Sequence, residues 1–160
     1  MIIPNYDLVF RDGLPYLLKV SSTEFLTMQV CGTASDAVNV VNAIFHLPEK
    51  CEEYVIVIAL NTHNDVLGVS ELSHGTATAA ITSPREIMQR LLLIGATKFI
   101  IVHNHPSGSL EISNEDYDMC TRMLKASDIM GISFLDSIII GGKDYVSFAS
   151  LNLLKDLRNK

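Results

Sequence analysis

The stretch Lys98-Phe99-Ile100-Ile101-Val102-His103-Asn104-His105-Pro106 constrains the fold of this chain more than any other. Its apolar, β-branched beginning reads as a buried strand. Side chains at i and i+2 of a strand share a face, so His103 and His105 point the same way from the strand's end. Pro106 has no amide proton to give and stops the ladder. Ser107-Gly108-Ser109 turns the chain, and seven residues separate His105 from Ser113. Ser113 with Asp116 three residues on has the form of a capping box, which predicts a helix starting at Ser113 and Asp116 in its first turn. A loop from strand end to helix start brings that carboxylate back toward the histidines. Two imidazoles and a carboxylate are three ligands for Zn2+, and three protein ligands leave a fourth position open, as catalytic zinc sites do. Each piece alone has an ordinary reading: polar strand-end histidines, a capping serine, a helix-start carboxylate. The metal reading rests on their combination.

The chain has 160 residues, which fits one domain with a short extension: residues 1–32 as an N-terminal extension and 33–160 as the metal-binding domain. A hydrophobic fraction of 48% excludes a disordered chain. The net charge is −6, from 12 basic and 18 acidic residues with no Lys/Arg cluster, which disfavours direct nucleic-acid binding. No apolar run is long enough to span a bilayer, so no membrane role is expected. The first residues, MIIPNYDLVFRDG, lack the basic start and long apolar region of a signal peptide. Cys31, Cys51 and Cys120 are odd in number and scattered, which reads as free, mostly buried thiols in the cytoplasm. The sequence leaves the oligomeric state open, a homo-oligomer included.

Short β-like pieces surround residues 16–20 and 25–30. Thr33-Ala34-Ser35-Asp36 looks like a helix start, followed by Ala37, Val40, Val41, Ile44 and Phe45 at helical spacing, with Pro48 ending the helix. Residues 54–60 form a strongly buried strand, Asn61-Thr62-His63-Asn64-Asp65 a turn, and residues 66–72 the hairpin partner. Ser83-Pro84-Arg85-Glu86 reads as N-cap, N1 proline and N3 glutamate of a helix running to about Gly95. Gly131 ends the helix after the metal motif. Residues 132–141 and 144–148 read as two closing strands, and 151–157 as a short terminal helix. Strands alternating with helices give a three-layer α/β domain.

The chain resembles the RadC family, a branch of the JAB1/MPN metalloprotease-like domains that carry the JAMM motif. The residues that carry the resemblance are Pro84-Arg85-Glu86, His103-Asn104-His105-Pro106-Ser107-Gly108, Ser113 and Asp116, supported by Leu60-Asn61-Thr62-His63-Asn64 and Leu135-Asp136. It covers roughly residues 50–148. It implies a cytidine-deaminase-like α/β fold with a mixed central sheet, and zinc held by His103, His105 and Asp116.

Hydrolytic chemistry at such a centre needs a base to take a proton from water and pass it to a leaving group. Glu52, Glu53 and Glu71 are the candidates. The resemblance implies Glu53, whose position before the 54–60 strand matches RadC-like sequences; Glu71, on the hairpin partner, stays open as the alternative. Ser113 caps its helix, and in JAMM-like sites the equivalent serine helps hold the oxyanion. Both roles are compatible if its oxygen accepts an amide bond while its proton faces the centre. Asn104 points away from the ligands and reads as a strand-edge hydrogen bonder, and Arg85 and Glu86 serve the helix start. His63 and His74 lack ligand spacing and read as surface residues. Longer RadC-like proteins carry a helix-hairpin-helix segment associated with DNA, and residues 1–50 contain none. Asp136-Ser137 stands where an Asp-His pair is common, which removes a histidine near the metal.

Two function classes follow. One is a zinc-dependent hydrolase of an amide or isopeptide bond acting on a peptide or protein, RadC-like and linked by that resemblance to DNA repair or mobile elements. The other is a non-catalytic zinc-containing module that serves DNA metabolism through protein partners. Three intact ligands favour the first. Zinc nucleoside deamination needs H-x-E and P-C-x-x-C, and neither occurs in this sequence. From the charge we expect duplex and branched DNA to bind this chain only weakly near physiological salt. Fluorescence anisotropy measures it, and sub-micromolar binding would contradict the reading.

Overall fold

The computed structural model of the chain describes residues 1–26, 30–75 and 83–159. Two strands, β1 (Ile2–Arg11) and β2 (Leu14–Glu24), form an antiparallel hairpin. Its turn is Asp12-Gly13, both at positive φ (53° and 78°), the conformation that matches the twist of paired strands and that Asp-Gly tolerates. Helix α1 (Ala34–Phe45) follows, started by a capping box between Thr33 and Asp36. It ends at His46 in the left-handed region, and Pro48 lies just beyond, inside a 3-10 turn at Leu47–Glu49. Strands β3 (Glu53–Leu60) and β4 (Val66–Gly75) pair across a turn in which Asn61 Oδ1 accepts the His63 and Asp65 amides. Then come α2 (Pro84–Ile94), β5 (Lys98–His105), α3 (Asn114–Met130), β6 (Ser133–Gly141), β7 (Asp144–Ser147) and α4 (Leu153–Arg158).

The seven strands form one mixed sheet in the order β2-β1-β4-β3-β5-β6-β7. β5 pairs antiparallel with β3 and parallel with β6, so it is an inner strand covered on both faces. That explains its unbroken apolar run. Strand alternation divides the core in two. Ile56, Ile58, Ile100, Val102, Ile138 and Ile140 face α1, whose Ala37, Val40, Val41 and Phe45 cover them. Val57, Phe99, Ile101 and Ile139 face the other helices, meeting Ile87 and Leu91 of α2, Met123 and Leu124 of α3, and Leu154 of α4. The domain is therefore helix, sheet, helices: the three layers expected, around a mixed sheet.

Several local expectations differ from the structure. Phe25 and Leu26 lie beyond the end of β2, Val30 lies in no strand, and residues 27–29 of that β-like piece lie outside the described residues. Residues 2–11, given no strand in the sequence reading, form β1. Ser83 flanks α2 without a side-chain cap bond, and the start is marked by Pro84 at the first helical position and Glu86 in the first turn. Residues 1–32 contain a hairpin that extends the domain's own sheet: β1 lies parallel to β4 at Asn5 and Val69. Gly68 permits this approach, because a Cβ there would stand 2.6 Å from the Tyr6 ring. No described helix is long and apolar enough to cross a membrane. Cys31 and Cys120 are buried, Cys51 is exposed, and all three are free.

Candidate metal centre

Alternation along β5 continues past the core. His103 and His105 follow Phe99 and Ile101 onto the face that α3 covers, while Asn104 follows Ile100 and Val102 onto the α1 face. On β3, Glu53 shares the α3 face with Val55 and Val57. The β3–β5 register runs Val57–Ile101 and Val55–His103, so Glu53 lies at the same strand end as the histidines. Helix α3 begins over that end and lowers Asp116 onto it from its first turn.

The donor atoms converge. His103 Nε2 and His105 Nε2 are 3.3 Å apart. Asp116 Oδ1 lies 3.0 Å from His103 Nε2, and Asp116 Oδ2 lies 3.9 Å from His105 Nε2. Glu53 Oε1 is 4.0 Å from both ring nitrogens. Glu53, His103 and His105 offer ligand atoms all within 4.8 Å of one another, and Asp116 borders this group. His103 and Asp116 are buried, while His105 and Glu53 are half-buried. Such a cluster of nitrogen and oxygen donors suits a divalent transition metal.

The two oxygens of Asp116 have different partners. Oδ2 accepts the Ser113 amide at 2.8 Å and the Ser113 hydroxyl at 2.7 Å, and Ser113 Oγ accepts the Asp116 amide at 3.2 Å. The predicted capping box is therefore complete, with Oδ1 left for the histidines. Burial opposes ionisation of Asp116. The hydrogen bond and charge of the His103 ring, with the Ser113 hydroxyl and amide, outweigh it and hold the carboxyl down at about 2. The Ser113 proton lies on Asp116 Oδ2, whereas the sequence reading aimed it at the centre.

His105 is oriented from behind. Its Nδ1 lies 3.0 Å from the Ser109 carbonyl oxygen. A carbonyl only accepts, so Nδ1 carries the proton and Nε2 keeps a lone pair for a metal. The turn that supplies this carbonyl is pressed against the end of β6. A Cβ on Gly141 would stand 2.6 Å from Gly108 O and 2.9 Å from Leu110 Cδ2. Gly141 thus lets the turn close, a role with no local sequence signal.

The other candidates fall elsewhere. Glu71 pairs across from Ile56, on the α1 face, because a bulge at Ala59/Leu60 shifts the β3–β4 register between the hairpin turn and Glu71. There its Oε1 meets His74 Nδ1 at 2.6 Å and raises that exposed imidazole's pKa. Glu52 gives its carbonyl to Asn104. His63 is exposed in the Asn61 turn. Asp136 is buried and accepts from the Ser147 hydroxyl and the Ala149 amide, at 2.8 Å for the latter, so it clasps the β7–α4 turn. Burial pushes its carboxyl up despite these bonds. Ser137 is fully buried beside it.

A family model described as the RadC-like JAB domain matches residues 32–153. A UPF0758 protein of Gloeothece citriformis is 38% identical over 118 residues, covering 73% of this chain and 49% of that protein. UPF0758 proteins of Clostridioides difficile and Carboxydothermus hydrogenoformans are 39% and 40% identical, covering 61% and 68% of this chain and 41% and 48% of theirs. The chain spans about half the length of the curated relatives it matches. The β1–β2 hairpin lies outside the family match.

Gly141→Ala is expected to push the Gly108–Leu110 turn outward, free His105 from Ser109, and weaken metal binding by about 10–100-fold. Competition with a chelator measures the affinity. Unchanged affinity in a folded variant would contradict the role given to the turn.

Proposed function

Because this chain belongs to the RadC-like JAB domain family, we propose that it is a zinc-dependent hydrolase of an amide or isopeptide bond, of the JAMM metallopeptidase kind, with a peptide or protein as substrate. The donor set fits zinc. Zinc–nitrogen bonds of about 2.0–2.1 Å at the tetrahedral angle separate two ring nitrogens by about 3.3 Å, and His103 and His105 have that spacing. We assign His103 Nε2, His105 Nε2 and Asp116 Oδ1 as ligands. Glu53 Oε1 stands 4.0 Å from each nitrogen, near enough to serve what occupies the fourth position. A zinc ion there would lower the pKa of a water toward neutrality and polarise a carbonyl.

The observation that carries the reading is this equidistant Glu53 carboxylate facing two metal-spaced imidazoles. Glu53 Oε1 takes a proton from water as the water oxygen bonds to the carbonyl carbon. When the carbon–nitrogen bond breaks, the same carboxyl returns the proton to the departing amine, leaving a carboxylic acid, which keeps water's other proton, and an amine. The Ser113 hydroxyl is the donor we assign to the developing oxyanion. It can turn from Asp116 Oδ2, which keeps the Ser113 amide.

Glu53→Gln keeps the shape of the side chain and removes its basic oxygen. Zinc should stay at one per chain while turnover on a peptide or isopeptide panel falls by about 10²–10⁴-fold. Asp116→Asn should instead lose zinc. Elemental analysis alongside the assays separates the two effects. Full turnover by Glu53→Gln would remove Glu53 as the base, and absence of turnover by the natural chain would end the hydrolase assignment and leave the zinc-containing binding module.

A further inference from the structure

We propose that Asn104, the residue between the two histidines, is the positioning residue for Glu53. The role of Glu53 as a base rests on the hydrolase reading; its positioning rests on backbone geometry. Asn104 is 2% exposed and lies on the α1 face, opposite the metal centre. Its side chain reaches across to β3. Asn104 Oδ1 accepts the Tyr54 amide at 2.8 Å, and Asn104 Nδ2 donates to the Glu52 carbonyl at 3.0 Å. Only one orientation of the amide satisfies a donor and an acceptor together, so these partners fix which atom is oxygen.

The two bonded groups belong to the two peptide planes that flank the Glu53 Cα. The Glu52 carbonyl is in the plane before it and the Tyr54 amide in the plane after it. Gripping both planes fixes the two backbone rotations of Glu53, and with them the direction of its side chain. On the β5 side the matched register ends at Val55–His103, short of Glu53, while β4 pairs Glu53 with Gly75 on the other edge. Asn104 carries the pairing past the last matched residues. Continuing the register places Tyr54 opposite Asn104 and Glu53 opposite His105. One tripeptide thus sets three groups: His103 and His105 through their own side chains, and Glu53 through Asn104. A buried apolar residue at this position would leave one donor and one acceptor of β3 without partners. Asn104 touches neither the histidine rings nor Asp116 by any described hydrogen bond, so its loss should move Glu53 while sparing the ligands.

The test is a double-substitution cycle in the full chain loaded with Co2+, whose visible absorption reports the metal's surroundings. Glu53→Gln should shift that spectrum in the natural chain. In an Asn104→Leu background the same substitution should shift it by less than half as much, because the carboxylate no longer faces the metal. In the metal-free chain, Asn104→Leu should speed hydrogen exchange at the Tyr54 amide at least ~10-fold. Zinc content should stay at one per chain, and kcat should fall by about 10–10²-fold with KM unchanged, as misplacement of a reacting group by about 1 Å does. If Asn104→Leu does not fold, Asn104→Asp keeps the acceptor for Tyr54 and removes the donor to Glu52, and should give the same pattern. A Glu53→Gln shift of equal size in both backgrounds would overturn the proposal. Loss of zinc on replacing Asn104 would also overturn it, since the residue would then be supporting the histidines. Absence of turnover in the natural chain would sink the hydrolase reading alone; the spectra and exchange rates would still decide the role of Asn104.

Discussion

The centre depends on the alternation of side chains along one strand held on both edges. β5 is paired with β3 and β6, so its pleat cannot slip without turning an apolar set of side chains out of two cores at once. That locks His103 and His105 onto the α3 face and Asn104 onto the α1 face. A free edge strand would leave the direction of the two imidazoles open. Here Phe99, Ile101, Ile100 and Val102, all buried, fix it before the polar residues begin. Fully burying such side chains contributes roughly 1.5–3 kcal/mol each, more than enough to fix the register.

The second element is a helix start that serves two purposes. The Ser113–Asp116 capping box satisfies orphan amides of α3, and a capping serine is worth about 1 kcal/mol. The same bonds hold one oxygen of Asp116 and aim the other at His103. The helix cap and the proposed metal site can therefore share one carboxylate without competing for its atoms. His105 is held in a comparable way, its proton on the Ser109 carbonyl and its lone pair toward the centre. Asp116 and His105 are thus both held by backbone groups, and that lowers the cost of ordering the site.

Much of this was legible because it is local. The strand run, the proline stop and the S-x-x-D cap each act over a few residues, so β5, α3 and the converging donors could be read directly. Glu53 could be separated from Glu71 only by the register of β3 on β4, since a bulge decides which face Glu71 takes. Gly141 was invisible, because its neighbour Gly108 is distant in sequence. The Asn104 clasp was half legible: alternation gave its face, but its partners lie on another strand. The N-terminal hairpin was missed for a different reason. Asp12-Gly13 is a strong turn signal, but residues 2–11 were given no strand of their own to pair with 16–20.

On the proposed reading, His103, His105 and Asp116 hold a zinc ion while Glu53 stands beside it without binding. Anomalous diffraction at the zinc edge on crystals of the zinc-loaded protein decides this. One peak is expected about 2.0–2.2 Å from His103 Nε2, His105 Nε2 and an Asp116 oxygen, with Glu53 Oε1 outside bonding distance. A peak ligated by Glu53 with Asp116 left in its capping box alone, or no peak among these residues, would contradict it.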